Sequence, residues 1–132
     1  LGRTRGTFHA RVPPGTVRVY RLVEDTGVPV LLGTDMHLLM GEMEIDACHW
    51  DSERLTLSGA AIRPTGERGN VFFHAPPTVR VANPHGYWIA KDAGENCLII
   101  RAALSFDKGV ADWTLRFLPL SQPLDVPQLN LT

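Results

Sequence analysis

Five histidines raise the question of a metal: His9, His37, His49, His74 and His85. A zinc or cupin-type site on a strand needs imidazoles at short, fixed spacing with a carboxylate close by. None of the five is paired as HxH or HxxxH, and there is no HExxH. The nearest set, His37 with Glu42 and Glu44, has none of these spacings, so neither a metal nor another cofactor is expected. Paired carboxylates about 5 to 10 Å apart can hydrolyse glycosides. Here Glu42, Glu44 and Asp46 alternate with Met43, Ile45 and Ala47, which reads as the wet face of one strand. Ser58-Gly59 lacks the GxSxG elbow, and neither Cys48 nor Cys97 lies in a CxxC. Gly66-Glu67-Arg68-Gly69 is neither GxGxxG nor a P-loop and reads as a hairpin turn. No residue is expected to be catalytic.

The aromatics are the binding candidates. A flat Trp or Tyr face stacks on the C–H face of a sugar ring while polar neighbours bond its hydroxyls. Tyr87 and Trp88 follow the turn that carries Asn83 and His85, and Trp50 stands beside Asp51 at another turn. These five residues form a candidate carbohydrate platform. Trp88 and Trp113 can equally be core plugs. Adjacent strand residues face opposite ways, so Tyr87 and Trp88 cannot both be buried.

These groups sit on short apolar segments cut by Gly and Pro, the pattern of many short strands and tight turns. Thr7 to Val12 alternates, Pro13-Pro14-Gly15-Thr16 turns, and Val17 to Val23 is apolar on both faces as a central strand would be. Further strands are expected at Val28–Leu32, Met43–Ala47, Leu55–Gly59, Val71–His74, Thr78–Val81, Tyr87–Ala90, Cys97–Phe106 and around Trp113–Phe117. Met36, Leu39, Met40 and Met43 have helical spacing, but Gly41 would cost a helix about 1 kcal/mol, so at most a short helical turn at 35–40 is expected. Nine or ten short strands need two packed sheets or a barrel, and the alternation of dry and wet faces favours the sheets. The expectation is an all-β, two-sheet antiparallel β-sandwich over residues 1–120, with an extended tail at 121–132.

The 132 residues suit one domain. A net charge of −1 with scattered basic residues argues against nucleic acid as a partner. No apolar run approaches the roughly 20 residues of a membrane span, so no membrane partner is expected. No charged-then-apolar leader opens the chain, and it begins at Leu1 rather than Met, which suggests a processed product or a piece of a longer chain. Two cysteines are too few for a disulfide framework and leave a single bridge open.

The stretch GTFHARVPPGTVRVYRL, Gly6 to Leu22, resembles the C-terminal β-sandwich that follows the (β/α)8 barrel in α-galactosidase-like glycoside hydrolases. In those domains a strand ends in V-P-x-x-x-V and the next runs V-x-V-x-R-L, matched by Val12, Pro13, Val17, Val19, Arg21 and Leu22. VPVLLGTDMHLLMGEMEI is similar to the LLGT-x-x-H-x-x-x-G run, through Gly33, Thr34, His37 and Gly41, and WDSERLTLSGAA to the WD…LSG hairpin. The resemblance covers about residues 6–61. In such enzymes both catalytic aspartates belong to the barrel, so none carries over. It implies a non-catalytic accessory domain packed on the catalytic barrel of the same parent chain, and hence an exposed apolar patch where that companion sits. A carbohydrate-binding module and a protein-interaction sandwich are the alternatives.

Overall fold

A computed structural model describes residues 3–36, 44–91 and 97–120. Eight strands form two antiparallel four-stranded sheets packed as a β-sandwich. They are β1 (Val30–Thr34), β2 (Ile45–Asp51), β3 (Thr56–Ile62), β4 (Arg68–Ala75), β5 (Val79–Val81), β6 (Tyr87–Lys91), β7 (Leu98–Ser105) and β8 (Val110–Pro119). Sheet 1 has the order β1-β4-β7-β6 and sheet 2 the order β2-β3-β8-β5.

Alternation decides what each strand buries. In β7, Leu98, Ile100, Ala102 and Leu104 point into the core, while Arg101, Ala103 and Ser105 are exposed. In β8, Trp113, Leu115 and Phe117 are buried between exposed Asp112, Thr114 and Arg116. The two inner faces meet at Phe73 and Trp113, whose ring centroids lie 5.4 Å apart. Burial of this apolar surface, at about 25 cal/mol per Å2, is the main force that holds the two sheets face to face.

Most turns carry the chain from one sheet to the other. The Gly66 turn joins β3 of sheet 2 to β4 of sheet 1, so it is a crossover and not the expected hairpin. The backbone N–H of Gly66 donates to the Phe106 carbonyl at 2.8 Å and that of Phe106 to the Glu67 carbonyl at 2.9 Å, tying this corner to the β7–β8 corner. Asp51–Leu55 is a true hairpin turn within sheet 2. The Asp51 carboxylate accepts from the N–H groups of Glu53 and Arg54.

Two further expectations change. The segments at 7–12 and 17–23 join neither sheet, which leaves eight strands in place of nine or ten. The turn between them does form: the Thr16 N–H donates to the Pro13 carbonyl at 3.2 Å and Gly15 takes a φ of 75°. Turn chemistry is local, whereas a ladder needs a neighbouring edge. The carboxylate face of β2 is also different. Glu44 is buried at 2% exposure, and Ala47 is exposed where a dry position was expected. A register shift between Ile45 and Ala47 breaks the alternation, and a bulge of that kind moves later residues to the other face. Neither Asp35 nor Met36 is helical; Leu39, Met40, Gly41, Glu42 and Met43, like the tail at 121–132, lie outside the described residues. Cys48 lies on β2 of sheet 2, and Cys97 stands just before β7 of sheet 1.

Candidate interaction site

Residues 3–29 form a strap beside sheet 1 that is exposed almost throughout, Val23 and Pro29 excepted. Its apolar side chains are those of a strand, yet Val17 keeps 88% and Leu22 71% of its surface. Phe8 and Tyr20 meet edge to face at 4.8 Å across the Pro13–Gly15 turn, which holds the two arms together. At the neck, Arg3 donates to Asp25 at 2.5 Å and to the Cys97 sulfur at 3.4 Å. The Asp25 carboxyl lies below its ordinary range, chiefly through the Gly27 N–H it accepts, with the Arg3 and His74 charges adding to this against partial burial.

Two concave surfaces lie against the strap. One is a cleft of about 710 Å3 between strap residues such as Phe8, Tyr20 and Leu22 and the outer face of sheet 1, where Leu32, Phe72 and Ile99 stand. This outer face is apolar where a solvated sheet would be polar. The other is a groove of about 560 Å3 on the open side of the sandwich, between β1 and β2, lined by Leu31, Ile45 and Trp50 and by Arg21 and Val23 of the strap. Cys48 reaches into this groove, and although the residue as a whole is exposed, burial of its thiol pushes the pKa up.

The predicted platform residues divide. Tyr87 turns toward the core and its hydroxyl donates to the Thr114 carbonyl at 3.1 Å, so it links sheet 1 to sheet 2. Asn83 serves the same junction: its Nδ2 donates to Thr114 O at 2.9 Å and its Oδ1 accepts from Arg116 N at 2.8 Å. Trp88 faces outward at 51% exposure with the Arg101 guanidinium 5.2 Å from its ring centre. His85 is exposed in the preceding turn. Trp50 is half-buried on β2, edge to face with Phe117 at 6.0 Å. Tyr87 and Asn83 are thus spent on an internal junction, and the five side chains do not share one face.

Among the described residues, no group of three or more His, Cys, Asp or Glu is arranged to hold a metal ion. His37 and Glu42 lie outside them, and Glu44 accepts from the Thr34 hydroxyl in the interior. The exposed strap was missed by sequence reading, although its composition is visible: five arginines and no carboxylate between residues 3 and 23. Comparison with protein-family models, curated proteins and solved structures returns no match. The likeness to the α-galactosidase-like sandwich therefore rests on the motifs quoted above.

Proposed function

We propose that this chain is a non-catalytic accessory domain that works by docking, with the strap as its contact surface. The observation that carries this reading is the exposure of strand-grade apolar residues, Val17 and Leu22 above all, outside the packed core of the sandwich. A contiguous apolar patch on a soluble surface marks an interaction site. The resemblance suggests the companion: the catalytic barrel of a glycoside hydrolase.

Site-specific photocrosslinking tests the proposal. A benzophenone side chain is placed at Val17 or Leu22, and at Ile62, exposed on sheet 2, as the control. The expected result, in the cells that make the protein, is a discrete adduct from the strap positions and none from the control. No adduct from any strap position refutes docking.

A second reading has one observation in its favour. Trp88 presents an indole on the outer face of sheet 1, which suits a carbohydrate-binding module. Titration with oligosaccharides should then change tryptophan fluorescence in the native chain and not in Trp88→Ala. A flat response across several glycans removes this reading.

A further inference from the structure

Residues 17–23, V-R-V-Y-R-L-V, have strand composition but neither helix, turn nor ladder. Sheet 2 has a matching vacancy, because β2 is an edge strand with one side unpaired among the described residues. We propose that residues 17–23 act as a donor strand for the open β2 edge of a second copy of this chain. The inference rests on the strap being a docking element and names a partner for its backbone.

Charge supports this pairing. The strap, residues 3–29, carries five arginines against Glu24 and Asp25, a net +3; with a net charge of −1 for the whole chain, the remainder carries −4. The receiving edge is acidic: Asp46 is exposed on β2, Glu53 is exposed in the turn after it, and Asp51 ends the strand. Arg54, which pairs with Asp51, is the only Lys or Arg from 44 to 54. Within one chain, Arg21 and Val23 already stand across the groove from Ile45, Cys48 and Trp50. Among the described residues no ladder joins them.

Exchange between two copies makes the same contact twice about a two-fold axis, which closes the assembly as a dimer. Edge pairing uses the backbone of 17–23 and leaves its side-chain faces for a companion domain. A lipid surface fits the same arginines less well, because an unpaired strand backbone cannot be satisfied in hydrocarbon.

Analytical ultracentrifugation of the whole chain over the micromolar range is the test. The expected result is a concentration-dependent dimer whose affinity falls about tenfold or more as salt screens the arginines. Arg18→Glu and Asp46→Arg should each weaken it to a similar degree, and mixing the two variants should restore a heterodimer. Val19→Pro removes a ladder donor and should give monomer with an unchanged circular dichroism spectrum. A monomer at every concentration overturns the proposal, as does a dimer indifferent to both charge variants. A monomer that sediments with phosphatidylserine vesicles also overturns it and assigns the strap to membranes. A monomer in solution whose Val17 crosslinks to a different protein in cells removes the second copy and leaves docking intact.

Discussion

The double substitution Val17→Ser/Leu22→Ser tests whether the strap belongs to the folded core or to an interface. Fully burying a Val or Leu side chain stabilises by about 1.5–3 kcal/mol. Leu22 keeps 71% of its surface and Val17 88%. In proportion, the strap's own contacts at these two positions are worth about 1 kcal/mol or less together. By contrast Phe73, at 0% exposure in β4, should cost about 3–5 kcal/mol when cut to Ala. Urea unfolding followed by tryptophan fluorescence separates the two cases, because Trp113 is buried against Phe73. With a slope near 2 kcal/mol per molar, the double variant should move the midpoint by about half a molar at most. A loss of about 2 kcal/mol or more would mean that the strap packs as core, and the reasoning from exposure to docking would fail.

Four further outcomes follow from local geometry. Gly59→Ala places a Cβ 2.3 Å from the Trp113 ring and 2.4 Å from the Ala47 carbonyl; it should destabilise by about 1–3 kcal/mol in thermal melts, more than Gly69→Ala, whose Cβ meets the movable end of Met36. Thr34→Val removes the hydroxyl that donates to buried Glu44 and should cost about 1–3 kcal/mol by urea titration. Tyr87→Phe should cost about 0.5–1.5 kcal/mol. Burial holds the Tyr87 phenol above its ordinary value, so its stabilisation is complete below about pH 10 and lost as pH climbs through the higher folded value, a step seen in alkaline melts of the native chain and absent in the Phe variant. At the strap's neck, Asp25 titrates below its ordinary value; the carboxylate's contribution is present above about pH 3.9 and is lost as pH falls through the lower folded value, so amide exchange in the strap should accelerate there and not in β7.

The sandwich was legible in the sequence because its strongest strands alternate cleanly: Leu98 to Leu104 and Trp113 to Phe117 are buried as their period of two predicts. The failures share a cause. Residues 7–12 and 17–23 have the same grammar as true strands, but pairing depends on an available edge, which one segment's composition does not reveal. The exposure of Ala47 was hidden by a one-residue bulge after Ile45, since period-two reading assumes an unbroken pleat; Glu44 lies before β2 and is held inside by the Thr34 hydroxyl. Within the candidate platform, the polar atoms of Tyr87 and Asn83 complete the junction at Thr114. Adjacency in sequence located that turn correctly and could not show which way its side chains point.

The junction at Thr114 has a mechanical consequence. Tyr87 of sheet 1 and Asn83 of the β5–β6 connection both bond β8 of sheet 2, so one long side of the sandwich is riveted. On the opposite side β1 and β2 face each other across a groove that reaches Leu31 and Trp50. The two sheets are therefore built like a hinged shell, fastened along β6 and β8 and parted along β1 and β2. At the β1–β2 lip the one buried side-chain bond among the described residues runs from the Thr34 hydroxyl to Glu44, so a ligand that spreads the sheets there has to break it.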